Sequence, residues 1–143
     1  NSKIEAIFYP DQYPTRKNED ALDSTTLIKG RGLSRYVIHI QSFDNDVTLE
    51  TQIENARKVI FKRTKACWIF REVGACVIFS SSKLPAIAKD SIEIDKTGLH
   101  AVIIQGVHIV SKDGENLYNQ SKWFHKTFGK SQDVVEALRG IAI

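Results

Sequence analysis

The chain has 143 residues, of which 42% are hydrophobic and 26% are charged. These fractions are close to the globular average and exclude a largely disordered chain, a collagen-like repeat and a coiled coil. No apolar run approaches the roughly 18 to 20 residues that cross a bilayer, and residues 1–6 lack the pattern of a secretory signal. We therefore expect one soluble, cytoplasmic domain over residues 1–143 that does not contact a membrane.

The N-terminal part of the chain is predicted to contain one strand and one long loop. Residues 4–9 have the apolar and aromatic character of a first strand. The polar stretch that follows includes Pro10 and Pro14, which lack backbone donors, and it offers no apolar face for a core. The sequence therefore predicts a polar loop at about 10–34, a length that is uncommon in compact domains and often functional.

The next segment predicts a strand followed by a long helix. Residues 36–43 alternate between two faces, as a strand does, and the run Asp44-Asn45-Asp46 offers turn residues and a helix N-cap. The helix is expected from about 47 to 65, with acidic residues early and basic residues late, as the helix dipole favours. Its buried stripe is formed by residues at helical spacing, namely Leu49, Ile53, Ala56 and Ile60.

The second half of the chain is rich in β-branched and aromatic residues. Residues 67–79, interrupted near Gly74, predict a hairpin, with one long strand bulged at that glycine as the alternative. Residues 92–94 predict a short edge strand, and the apolar run 99–104 predicts a central strand covered on both faces. Cys67 and Cys76 lie in apolar stretches and are interpreted as structural thiols.

The C-terminal part predicts a hairpin and a short helix. Asp113-Gly114 is a two-residue hairpin signal, and Ser131 is the expected cap of a helix near 132–140. Together the elements predict an α+β fold. It would be a mainly antiparallel sheet of about five to seven strands packed against one long helix and a shorter C-terminal helix. The inward residues of the last helix are expected to be Val134, Val135 and Leu138.

Spaced motifs that would indicate a cofactor or a metal are absent from the sequence. It contains no phosphate loop, no HExxH, no CxxC and no GxSxG. The sequence therefore predicts no cofactor and no metal, and it favours a binding protein over an enzyme. The alternative is a ribonuclease that cleaves RNA without a recognisable motif.

Histidines are the residues on which catalysis would depend. His39, His100 and His108 lie on predicted strands, and Lys112 follows the last of them. In a metal-independent ribonuclease, one imidazole removes the 2′-hydroxyl proton, another protonates the leaving oxygen, and a lysine stabilises the phosphorane. The simpler interpretation is that these histidines are hydrogen-bonded or solvated residues of the sheet faces. Gly106 is a candidate bulge that would change which face His108 occupies.

A basic and aromatic segment near the C-terminus is the candidate partner-binding surface. Aromatic side chains next to lysines suit a protein interface or single-stranded nucleic acid. The simpler interpretation is that the aromatic rings close the core while the lysines are solvated. The candidate residues are Trp123, Phe124, His125, Lys126 and Lys130.

Three functional classes remain after these exclusions. The first is a small protein-binding module, including an inhibitor of the immunity or antitoxin type that caps a partner protein. The second is a nucleic-acid-binding domain or small ribonuclease, for which a net charge of +3 is weak support. The third is a small-molecule pocket between the sheet and the long helix. The nucleic-acid class requires one concave basic face gathering Lys58, Lys62, Arg63, Lys122, Lys126 and Lys130.

Overall fold

The computed structural model describes residues 2–18, 23–31, 34–66, 72–95, 101–121 and 134–139. Within these ranges the helices are α1 (Ser2–Phe8), α2 (Leu49–Thr64) and α3 (Val134–Leu138), with a 3-10 helix at Lys89–Ser91. The strands are β1 (Thr15–Lys17), β2 (Ser24–Arg31), β3 (Ser34–Ser42), β4 (Val73–Ser81), β5 (Val102–Ser111) and β6 (Asn116–Gln120). No helix in these ranges is long and apolar enough to cross a membrane.

The six described strands form one mixed sheet in which spatial order follows chain order. The pairs β1–β2, β2–β3 and β5–β6 are antiparallel, whereas β3–β4 and β4–β5 are parallel. The α+β class is confirmed, but the prediction of a mainly antiparallel sheet is wrong. The physical reason is that two connections, α2 and then the long segment after β4, return the chain to the end of the sheet at which the preceding strand began. A parallel neighbour requires such a crossover.

Both faces of the sheet are covered. On one face α2 packs Leu49, Ile53, Ala56 and Ile60 against the sheet, and we call this layer the α2-side core. On the other face α1 and α3 pack against the sheet and form the α1-side core. Strand β4 lies between them, and its residues 75–79 are completely buried. The predicted apolar stripe of the long helix is therefore confirmed.

The turn before α2 is held by the helix itself. Thr48, rather than a residue of the Asp44–Asp46 run, is the N-cap, and its hydroxyl accepts a 3.3 Å bond from the backbone N–H of Thr51. The buried side chain of Gln52 accepts from the N–H of Asp44 at 2.9 Å. The same amide donates to the carbonyls of Asp44 at 2.8 Å and Val47 at 2.9 Å. These bonds fix the course of the chain between β3 and α2.

The N-terminal predictions need correction. The segment expected to be a first strand forms α1, because Ile4 and Phe8 are four residues apart and are buried together. The expected loop at about 10–34 contains β1 and β2, which pair with each other and with β3. Its polar residues include the β-branched Thr25 and Thr26, which favour strands, and both are buried in β2.

The predicted hairpin at residues 67–79 is also wrong. Strand β4 is hydrogen-bonded to β3 on one side and to β5 on the other, and it is parallel to both, so it is not a strand of a hairpin. Residues 67–71, including Cys67, lie outside the described residues. Cys76 is a buried free thiol, and burial raises its pKa. Residues 92–94, expected to form an edge strand, follow the 3-10 helix without strand pairing.

The predictions for the C-terminal part are largely confirmed where the chain is described. Strands β5 and β6 form the hairpin around Asp113-Gly114, with Gly114 at φ 87°. The loop has three residues instead of two, because Ser111 donates its N–H to the carbonyl of Glu115 at 2.8 Å. In α3, Val134 and Leu138 are buried and Val135 is half-buried. Ser131 lies outside the described residues.

Candidate functional site

His39 belongs to a buried polar cluster under α2. Its Nδ1 is 2.9 Å from the hydroxyl of Thr26, and its Nε2 is 2.9 Å from the side-chain oxygen of Gln41. The hydroxyl of Thr26 also accepts from the guanidinium of Arg63 at 3.1 Å. Since Arg63 only donates, the consistent arrangement has Thr26 donating to Nδ1 and Nε2–H donating to Gln41. Thr26, His39, Gln41 and Arg63 together are called the His39 cluster.

The His39 cluster keeps this imidazole neutral. Burial lowers the pKa of His39 to about 4, the bond to Gln41 opposes that shift, and the nearby charge of Arg63 adds to it. The ring is completely buried, with both nitrogens engaged by protein atoms. A general base must reach the proton that it removes. The cluster therefore holds strands β2 and β3 to α2, and His39 has no access to a substrate.

His108 lies on the opposite face of the sheet. The register of β4 and β5 skips Gln105, so the predicted irregularity next to Gly106 is a bulge. Because of this bulge, Val107 and Ile109 enter the α2-side core, and His108 faces the α1 side. Its ring stacks on Tyr118 with 5.1 Å between centroids.

The sheet thus separates the two described histidines. Lys112 is exposed in the β5–β6 turn. His39 and His108 therefore cannot act on one phosphate. His100 lies outside the described residues, as do the candidate partner-binding residues Trp123, Phe124, His125, Lys126 and Lys130.

The expected basic face is only partly assembled by the described residues. Lys58 and Lys62 are exposed on α2, but Arg63 turns inward and is buried in the His39 cluster. Lys122, Lys126 and Lys130 lie outside the described residues. The exposed lysines of α2 lie next to an aromatic residue that the sequence did not indicate as a candidate.

That aromatic residue is Phe61, which is exposed on the solvent side of α2. Phe61 is 50% exposed, more than Tyr9 at 37% or Ile87 at 36%, the other large hydrophobic residues exposed in the described ranges. It borders a groove of about 300 Å³ between α2 and the start of β5, lined by Arg57, Lys58, Phe61, Ala101 and Val102. We call Phe61, this groove and the exposed Lys58, Lys62 and Lys65 the α2 patch.

One edge of the α2 patch is fixed by an ion pair. The guanidinium of Arg57 donates to the two carboxylate oxygens of Asp95 at 2.6 and 3.0 Å, and to the carbonyl of Val102 at 2.6 Å. The Asp95 carboxylate also accepts from the N–H of Ile104 at 2.7 Å. Burial alone would lower the pKa of Arg57, but the bonds to Asp95 outweigh burial and raise it. This ion pair ties α2 to the beginning of β5.

A second, polar depression lies where β3 ends. This cleft of about 610 Å³ is lined by carboxylates and by the amides of Gln41, Asn45 and Asn55. It lies at the carboxyl end of a parallel strand, where α/β sheets commonly bind ligands. The described residues contain no group of three or more His, Cys, Asp and Glu side chains able to hold a metal ion. The carboxylates that line the cleft are Asp23, Asp44 and Asp46.

No protein-family model, no curated protein and no solved structure matches this chain. The α2 patch and the polar cleft differ in their chemistry. The polar cleft contains exposed carboxylates that are solvated on the surface at little cost. The α2 patch leaves Phe61 half exposed to water beside an apolar groove, which is unfavourable for an apolar side chain.

Proposed function

We propose that this protein is a small protein-binding module that contacts its partner through the α2 patch. The observation that carries the proposal is the half-exposed Phe61 beside the apolar groove. Aromatic residues at the centre of an interface commonly provide a large part of the binding energy, because they bury much apolar area with few rotatable bonds. An inhibitor of the immunity or antitoxin type is the narrower form of this proposal.

The groove suits a side chain of a partner better than a cofactor. Its volume of about 300 Å³ is at the lower end of the range of small-molecule pockets. Its lining includes the apolar Ala101 and Val102. The hydrogen bond from Arg57 to the carbonyl of Val102 holds this lining against α2. A preformed groove lowers the entropy that a partner loses on binding.

Photo-crosslinking tests the proposal directly. A photoreactive phenylalanine analogue at position 61 is expected to crosslink one protein in extracts of the source organism. The same analogue at position 87, where Ile87 is exposed to a lesser degree, is the matched control and should give no such adduct. Capture of the same protein by the unmodified chain should fall at least about tenfold for Phe61→Ser, whereas Ile87→Ser should retain it.

Two outcomes would contradict the proposal. In one, adducts form equally at positions 61 and 87, or Phe61→Ser captures the partner as well as the wild-type chain does. In the other, the material held at position 61 disappears after ribonuclease treatment, which would favour the nucleic-acid function. Mass spectrometry of the adduct would identify the contacted segment of the partner.

A further inference from the structure

The exposed cations of the α2 patch surround Phe61. Lys58 lies three residues before Phe61, so these two side chains share one face of α2. Lys65 is the exposed C-cap residue that directly follows the helix. Lys62 is adjacent to Phe61 in sequence and also exposed. Among the described residues, neither Lys58 nor Lys65 forms an ion pair with a carboxylate. Lys58 and Lys65 therefore place positive charge beside the apolar anchor.

Arg57 contributes little to that positive charge. Its guanidinium is paired with Asp95, and its Nε donates to Glu54 at 3.1 Å. Two carboxylates thus offset this one cation at the edge of the groove. The charge presented to a partner comes from Lys58 and Lys65, whose flexible side chains can follow an approaching anion.

We infer that the partner segment is an acidic stretch of polypeptide carrying an apolar anchor side chain. This inference rests on the proposed function and adds the chemistry of the partner to it. The anchor enters the groove beside Phe61, while Asp or Glu residues on either side face Lys58 and Lys65. Complementary charge of this kind increases the association rate and rejects basic partners. The phosphates of a nucleic-acid strand would pair with the lysines, but such a strand offers no aliphatic side chain for the groove.

Three labelled peptides test this inference by fluorescence anisotropy. They share their length and a central Phe-Leu pair, and their flanking residues are all Glu, all Gln or all Lys. The Glu peptide is expected to bind at least about tenfold tighter than the Gln peptide, and the Lys peptide should not bind. Raising the salt from about 0.05 M to about 0.5 M should remove most of that difference, because exposed charges are screened.

Charge reversal provides the matched variants. The double variant Lys58→Glu/Lys65→Glu is expected to prefer the Lys peptide to the Glu peptide. The control reverses two exposed lysines outside the α2 patch, Lys83 and Lys112, and should keep the wild-type preference. Phe61→Ser should weaken binding of the Glu peptide without reversing the order of the three peptides. Circular dichroism of each variant shows whether it is folded.

Several results would overturn the inference. Equal affinity for the Glu and Gln peptides would remove the charge requirement, as would an unchanged preference in Lys58→Glu/Lys65→Glu. An oligouridylate of the same net charge that binds tighter than the Glu peptide and tolerates Phe61→Ser would indicate recognition of a phosphate backbone. If crosslinking at position 61 succeeds while the peptides show no charge preference, the proposed function stands and this inference fails. If position 61 gives no specific adduct and Phe61→Ser changes no binding, both fail.

Discussion

The buried imidazole of His39, which has two neutral hydrogen-bond partners, makes the stability of the folded chain depend on pH. In the folded chain His39 has a pKa of about 4, whereas an unfolded histidine has a pKa of about 6.5. At neutral pH both states are unprotonated at this site, so its contribution to stability is fully present. As the pH falls below about 6.5, the unfolded chain takes up a proton that folded His39 resists, and stability is lost until about pH 4.

The variant His39→Gln tests that linkage. Glutamine preserves a donor and an acceptor but does not titrate. Between about pH 7 and about pH 4 the wild-type chain should lose about 3 kcal/mol more of its free energy of unfolding than the variant does. Urea denaturation at several pH values measures this difference. Identical pH dependence of the two proteins would show that His39 does not couple folding to protonation.

The sequence placed individual residues on faces more reliably than it identified their neighbours. Alternation in β3 puts His39 on the face of Val37, but nothing in the alternation indicated that Arg63 would turn inward to meet Thr26. Phe61 carried a usable signal, because it follows Ile60 and lies off the stripe Leu49–Ile53–Ala56–Ile60 among lysines. An aromatic residue at such a helical position is expected to be exposed.

At the scale of elements, local periodicity was sufficient to predict α2, and the Asp113-Gly114 turn signal was sufficient to predict the β5–β6 hairpin. Local periodicity did not predict which strands pair with β4. A short apolar run such as residues 75–79 has the same appearance in a hairpin and in a central parallel strand. The pairing depends on the crossovers after β3 and β4, and crossover connections leave no local signature. The N-terminal helix was missed for a related reason, since seven residues hold too few turns to distinguish the two periods.

The attachment of α2 to β5 is the element contact that shapes the α2 patch. Asp95→Asn removes the carboxylate that pairs with Arg57 and leaves a partly buried guanidinium without its main partner. We expect a loss of about 3 kcal/mol in the free energy of unfolding. The control Glu54→Gln removes the other carboxylate of Arg57, which is 58% exposed, and should cost less than about 1 kcal/mol. Urea denaturation of both variants makes the comparison, and equal losses would contradict the assigned role of Asp95.

At the scale of the whole molecule, charge is distributed unevenly along α2. Its N-terminal end lies beside the polar cleft with Asp23, Asp44 and Asp46. Its C-terminal half carries Lys58 and Lys62, and Lys65 follows as the C-cap. A net charge of +3 does not reveal this separation. Composition therefore gave weak support to a polyanion partner, whereas the acidic partner proposed above is argued from the positions of the charges in one region only. The mixed sheet, covered on both faces, provides the support on which these regions are held apart.

The sheet itself should differ in stability from its centre to its edge. Strand β4 has two paired neighbours and residues 75–79 completely buried, whereas β1 has three residues, of which Thr15 and Arg16 are exposed. In native-state hydrogen exchange, the amides of β4 should exchange only through global unfolding. The amides of β1 should exchange through an opening whose free energy is at least about 2 kcal/mol lower. Asp95→Asn should then lower the opening free energy of β4 by the amount measured in urea, without changing that of β1. Equal opening free energies for β1 and β4 would instead show that the whole sheet unfolds as one unit.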